Sequence, residues 1–270
     1  MLALASAATG FVGPSVRAST LQFSMSESST TGWTARPIVP ELEQGRTETP
    51  KEQRVPWDFR RFVSQSSKFI ELPSLLPSTA AAARVVSAGE SFPELQLFPL
   101  DDVVMGGASS STFDNDSRTW AGEVTSLNSG GFVGIRCKTL SPALDLSATS
   151  GVELKLRSGG SPVARRFKLI LRDSTDFNGV CWTASFTVGG SPVGALQKML
   201  TGANAVETVR IPYAELVPTI FAKTVPDVTI DLRNIVGVQL ALSKFEYDGG
   251  LNSLFAEGSF ELELLDVAAY

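Results

Sequence analysis

The sequence predicts an all-β fold, an antiparallel two-sheet sandwich or jelly roll, behind a mostly disordered N-terminal extension. Three observations predict it. From Phe98 onward, about eight short runs alternate apolar and polar residues with a period of two. Gly, Pro, Asn, Asp and Ser clusters separate them, as at Ser158-Gly159-Gly160, Val188-Gly189-Gly190 and Tyr247-Asp248-Gly249-Gly250. In Glu153-Leu154-Lys155-Leu156-Arg157 and Phe260-Glu261-Leu262-Glu263-Leu264 one face is apolar and the other charged, which suits an antiparallel sheet wet on one side.

The strands expected are Thr119–Leu127, Gly131–Cys137, Gly151–Leu156, Arg166–Arg172, Val180–Phe186, Glu207–Ile211, Val236–Leu242 and Ser259–Val267. Tyr213 to Leu216, after Ile211-Pro212, reads as one helical turn. Ahead of the β-rich region, Ala80 to Val86 reads as a short Ala-rich helix.

The first third is organised differently. Residues 1–25 hold one charged side chain, Arg17, and no acid. A weakly apolar stretch, Leu2 to Gly10, precedes a hydroxylated, acid-free piece from Phe11 to Thr20, the pattern of a two-part plastid presequence. The expected location is the plastid, at the stroma or thylakoid surface, with the mitochondrion as the alternative. Residues 26–90 read as linker, because Ser24 to Arg54 is rich in Ser, Thr, Glu, Pro and Gly and has no apolar period. Within it lies a candidate docking segment, residues 56–70, carrying Trp57, Phe59 and Phe62, with Phe69-Ile70 behind. Pro56 suits the first turn of a short helix there. These aromatics either dock onto a partner or pack back on the chain's own domain, residues 91–270.

Composition excludes several functions. The chain has 270 residues, 43% of them hydrophobic, which is enough for a sizeable core. The net charge is −5 and no basic patch stands out, so nucleic acid is not an expected partner. No stretch reads as a membrane span, so any membrane association is peripheral. There is no histidine, which removes Ser-His-Asp and Cys-His triads, imidazole metal sites and the usual neutral-pH base. The two cysteines, Cys137 and Cys181, are expected reduced and buried; alone they make no standard zinc site. No G-x-G-x-x-G follows a strand. The reading is therefore a non-enzyme with no catalytic residue, metal or cofactor.

Two clusters carry the recognition signal. The first is Asp101-Asp102-Val103-Val104-Met105-Gly106-Gly107-Ala108-Ser109, and the second Asn128-Ser129-Gly130-Gly131-Phe132-Val133-Gly134-Ile135-Arg136. Paired glycines permit positive φ and close backbone approach. Asp102 and Ser109 suit local amide bonding. One reading makes the two loops neighbours on a rim, with Met105 and Phe132 as an apolar contact and Asp102, Asn128 and Arg136 as a polar one. The other makes them a fold-defining corner, with Met105 and Phe132 in the core and Arg136 paired with a carboxylate. Elsewhere, Asp173-Ser174-Thr175-Asp176 reads as a solvated turn rather than a Ca²⁺ or acid–base pair. Arg165-Arg166 reads as edge or surface charge, and Trp182 as a core residue.

The pairing of D-V-V-M-G-G-A-S with N-S-G-G-F and an Arg resembles the domain of the complex I intermediate-associated protein 30 family. Val209-Arg210-Ile211-Pro212-Tyr213 and Gly258-Ser259-Phe260-Glu261-Leu262 fit as well, so the resemblance runs from Phe98 to Tyr270. Ala108 stands where the family often has Arg, and Val206-Glu207 where it often has Trp. The resemblance implies a galactose-binding-like β-sandwich. It also implies a non-catalytic module that binds protein subunits of a membrane electron-transfer complex, photosynthetic in plastids or respiratory complex I in mitochondria. On that implication the candidate binding residues are Asp102, Met105, Gly106, Gly107, Ser109, Asn128, Gly130, Gly131, Phe132 and Arg136. The alternatives are a permanent peripheral or linker subunit, and a carbohydrate-binding module, which requires an exposed aromatic platform at Trp120 and Trp182.

Overall fold

The alternating runs pair into two antiparallel sheets that close on one apolar core. The structure, a computed structural model, describes residues 54–69, 81–158, 164–176, 178–190, 196, 199–200 and 205–270. The expected presequence, most of the expected linker, and Ile70 lie outside them.

All eight expected strands form. In chain order the elements are α1 (Phe59–Ser66), β1 (Arg84–Val85), β2 (Leu97–Pro99), β3 (Ser110–Asp114), β4 (Thr119–Val124), β5 (Phe132–Cys137), β6 (Leu144–Asp145) and β7 (Gly151–Ser158). They continue with β8 (Arg165–Arg172), β9 (Cys181–Val188), β10 (Val206–Pro212), β11 (Val217–Ile220), β12 (Lys223–Thr224), β13 (Gly237–Ser243) and β14 (Gly258–Ala269). One sheet has the order β10-β7-β14-β4-β3, the other β12-β11-β9-β8-β13-β5-β2. A 3₁₀ turn at Tyr213–Glu215 matches the expected helical turn.

Period-two alternation sets the core. Val152, Leu154 and Leu156 of β7 and Phe260, Leu262 and Leu264 of β14 are buried from one sheet. Val133 and Ile135 of β5, Leu169 and Leu171 of β8, and Val238, Leu240 and Leu242 of β13 meet them from the other. A bulge between Leu264 and Asp266 shifts the phase of β14, so Val267 and Ala269 point inward beyond it. Trp120 is fully buried, edge-on to Phe260 at 4.9 Å, and Trp182 is 5% exposed. The outer face of the smaller sheet carries ion pairs, Lys155–Asp266 at 3.1 Å and Arg210–Glu153 at 2.7 Å.

Three expectations are corrected. Residues 81–86 are not helical: Arg84–Val85 pairs in parallel with Leu144–Asp145, and Val86 is fully buried. Burial of Val86 and the bonds Arg84 N to the Ala143 carbonyl and Val86 N to the Asp145 carbonyl override the alanines' helix propensity. Pro56 is not in the first helical turn; Asp58 caps α1 by accepting from Arg61 N at 3.0 Å. Arg165 is not surface charge. It is 7% exposed and donates to the carbonyls of Ala256 (2.6 Å) and Ser259 (2.9 Å), while Arg166 beside it pairs with Glu246.

Candidate functional site

Two adjacent aspartates organise the motif. After β2 the chain turns through a 3₁₀ helix, Asp102–Met105, which ends at Gly106 in the left-handed region, φ 92°. The Asp102 side chain is 2% exposed. Its Oδ1 accepts from Ser109 N at 2.9 Å. Its Oδ2 accepts from Ser109 Oγ at 2.6 Å, Gly131 N at 2.8 Å and Phe132 N at 3.2 Å. One carboxylate thus ties the first glycine pair's loop to the second's. Burial pushes the Asp102 carboxyl up, against these four donors, which hold it down.

The division of labour within each glycine pair follows. In each, one residue supplies the left-handed turn, Gly106 and Gly131 (φ 116°). The other leaves room for the aspartate. A Cβ on Gly107 would lie 2.3 Å from Asp102 Cγ, and one on Gly130 2.4 Å from Asp102 Oδ2.

Asp101 faces the other way and holds the N-terminal segment. It is fully buried and accepts at Oδ2 from Arg61 (2.6 Å), Gln65 Nε2 (2.9 Å) and Ser111 N (2.9 Å), and at Oδ1 from Ser111 Oγ (2.6 Å). Gln65 Oε1 accepts the Asp101 amide in return at 2.9 Å. Trp57 Nε1 donates to the Val103 carbonyl at 2.8 Å. Asn128, in the left-handed region at φ 56°, exchanges two bonds with the Val55 backbone and donates to the Gly106 carbonyl. The segment expected to dock therefore docks on its own chain, against the Asp101–Gly107 loop.

It does so with its polar face. Arg61 and Gln65, one turn apart, point at Asp101. Phe59 and Val63, also one turn apart, are 59% and 44% exposed, and Trp57 is 49% exposed. Trp57, Phe59 and Phe62 cluster with ring centroids 5.2–6.0 Å apart. Met105, in the turn that Trp57 grips, is 73% exposed rather than part of the core. A surface helix ordinarily buries its apolar stripe; α1 buries its polar one.

The remaining motif residues, Phe132 and Arg136, lead into a cleft of about 380 Å³ on the outer face of the larger sheet. Arg136 is 6% exposed, with its guanidinium 5.4 Å from the Phe69 ring centroid. Register puts Gln239 of β13 beside Arg136 and Ile170 beside Gln239. Lys168 and Arg172 flank Ile170 along β8. Cys181 also lines the cleft; both cysteines are unpaired thiols, Cys137 buried and Cys181 half-buried. Asp173 of the expected solvated turn is half-buried and accepts from Trp182 Nε1 at 3.1 Å, while Ser174 and Asp176 are exposed.

Lys168 gives this face a pH signature. Its Nζ donates to the carbonyls of Phe245 (2.7 Å) and Glu246 (3.0 Å) and lies 5.1 Å from the Tyr247 ring centroid. Burial lowers its pKa from 10.5 to about 8; the Glu246 carboxylate opposes the shift and Arg166 adds to it. Between those values the unfolded chain holds the proton that the folded chain has released, so stability contributed by this residue rises with pH. Wild type should therefore gain up to about 3 kcal/mol relative to Lys168→Met between about pH 8 and about pH 10.5, read from urea midpoints. A difference that stays constant with pH would place Lys168 in water.

The model of the Complex I intermediate-associated protein 30 (CIA30) family matches residues 90–264. The chain belongs to that family. No curated protein matches it. Among solved structures, the family 11 carbohydrate-binding module from Clostridium thermocellum, in complex with a β-1,3-1,4-mixed-linked tetrasaccharide, is 16% identical with a TM-score of 0.41. That match covers 71% of this chain and 96% of the module. An exo-β-agarase is 12% identical with a TM-score of 0.35, over 64% of this chain and 23% of the enzyme. The family match takes in β2 to β13 and the larger part of β14, with both glycine pairs, and leaves α1 outside it.

Proposed function

We propose that this chain is a non-catalytic protein-binding module that serves the assembly or stabilisation of a membrane electron-transfer complex. The reading puts it at the plastid thylakoid surface, serving a photosynthetic complex; service to respiratory complex I in mitochondria is the alternative location. Family membership supports the assembly role. The observation that carries protein binding is the reversed orientation of α1, which holds its polar face on Asp101 and offers Trp57, Phe59, Val63 and neighbouring Met105 to solvent. An exposed aromatic patch rimmed by polar residues is the usual mark of a protein contact. Among the described residues no helix is long and apolar enough to cross a membrane, which fits peripheral attachment through a subunit.

A carbohydrate platform built on Trp120 and Trp182 has no support, since both rings are buried in the sandwich. The test is affinity capture of the tagged protein from gently solubilised organelle membranes, with the partners identified by mass. Photosystem or light-harvesting subunits support the plastid reading. Complex I subunits keep the assembly role and move it to the mitochondrion. An eluate without membrane-complex subunits overturns the proposal.

A further inference from the structure

The cleft on the larger sheet is a second feature, independent of α1. Across its floor β5, β13, β8 and β9 place Arg136, Gln239, Ile170 and Thr183 in one cross-strand row. The protein itself engages most polar side chains there. Lys168 donates to the Phe245 and Glu246 carbonyls, and the Glu246 carboxylate acts on its charge. Arg172 donates to the Cys181 thiol and the Asp176 carbonyl, and Arg136 lies against the Phe69 ring. Thr183 bonds Thr219. Gln239 differs. It lines the cleft and is 6% exposed, yet among the described residues nothing hydrogen-bonds its side-chain amide. That amide holds two N–H donors and an acceptor oxygen, and burying such groups unpaired is costly. Buried polar groups are bonded as a rule, and an exception that faces a cleft points to a ligand. Ala241, the next residue on the same face of β13, is small and keeps the space beside the amide open. Leu100, Phe132, Phe221 and Phe245 stand around it as apolar walls. A volume of about 380 Å³ is in the range of small-molecule sites.

We propose that this cleft binds a small neutral carboxamide or lactam, whose N–H and carbonyl oxygen pair with the side-chain carbonyl and NH₂ of Gln239 while its apolar body lies against the Phe132 and Phe221 walls. Two amides set edge to edge satisfy each other's donor and acceptor at once. A largely dry floor strengthens both bonds. Lys168 and Arg172 are already held by protein acceptors, so the floor calls for no charge on the ligand. The proposal needs no partner protein and stands apart from the assembly role.

The test is calorimetric titration of the whole chain with 2-naphthamide, and with the methyl ketone of the same shape, 2-acetonaphthone, as the matched probe. The ketone can accept from the Gln239 NH₂ but leaves its carbonyl oxygen without a donor. Naphthamide is therefore expected to bind at least about fivefold more tightly than the ketone. Gln239→Leu replaces the amide with an apolar group of similar size. It should bring the two probes within about twofold of each other, with the thermal midpoint unchanged or raised, because an unpaired buried amide has been removed. Loss of the preference in a fold at least as stable separates a binding group from a structural one. Equal binding of the two probes by wild type, binding of neither, or a preference for naphthamide that survives in Gln239→Leu would overturn the assignment.

Discussion

Asp102→Ala is expected to lower the unfolding free energy by about 3–5 kcal/mol, the cost of removing one partner from a buried charged network. Three backbone amides and a hydroxyl donate to that carboxylate, and the substitution leaves Ser109 N, Gly131 N and Phe132 N without their acceptor. Urea denaturation gives the number. Asp102→Asn should recover part of it, since an amide keeps the shape and one acceptor oxygen. The glycines supply an internal check. Gly107→Ala places its Cβ 2.3 Å from Asp102 Cγ, so alone it should cost several kcal/mol. In the Asp102→Ala background Cγ and Oδ1 are gone and the residue-102 Cβ, at 2.7 Å, remains, so the same change should cost less. Additive costs in the double variant would mean that the carboxylate does not fill the space between the glycine pairs.

Asp101→Ala should have a comparable total effect with a different local result. Asp101 accepts from Ser111 inside the sandwich and from Arg61 and Gln65 of α1. Its loss should cost about 3–5 kcal/mol and release the helix. Trypsin reports the release, because Arg60 and Arg61 lie within α1. Cleavage there should accelerate at least about tenfold under conditions where the sandwich stays folded. Gln65→Ala, which leaves the Ser111 bonds intact, should accelerate cleavage with a smaller cost in stability. Cleavage rates equal to wild type in both variants would show that α1 is held elsewhere.

The strands were legible because their alternation is strong and their turns carry glycine. Those that escaped notice are short or atypical. Leu97–Pro99 and Val217–Ile220 contain proline and run three and four residues, and Ser110–Asp114 is mostly polar. Arg84–Val85 sits behind an alanine run that argues for helix, and only its parallel partner at Leu144–Asp145 makes it a strand.

At the site, the glycine pairs and Asp102 were legible as a backbone device. That Met105 would point out, and that Asp101 rather than Asp102 would hold the N-terminal segment, depends on contacts 36 to 48 residues apart that no local pattern encodes. The cations along β8 were not singled out as a set. In Arg166-Phe167-Lys168-Leu169-Ile170-Leu171-Arg172 the cations share one parity and the aliphatic core residues the other. What the sequence could not supply was the cleft over that face.

If the outward apolar face of α1 binds the partner, polar substitutions on it should abolish capture. The most direct test compares wild type with Phe59→Ser/Val63→Ser in capture from organelle membranes, quantifying membrane-complex subunits per mole of bait. Both residues are exposed on the helix face opposite Arg61 and Gln65, so the thermal midpoint should stay within a few degrees of wild type. Loss of at least about nine-tenths of the captured subunits is the predicted result, as for central contacts of a protein interface. Undiminished capture by the folded variant would move the binding surface off α1.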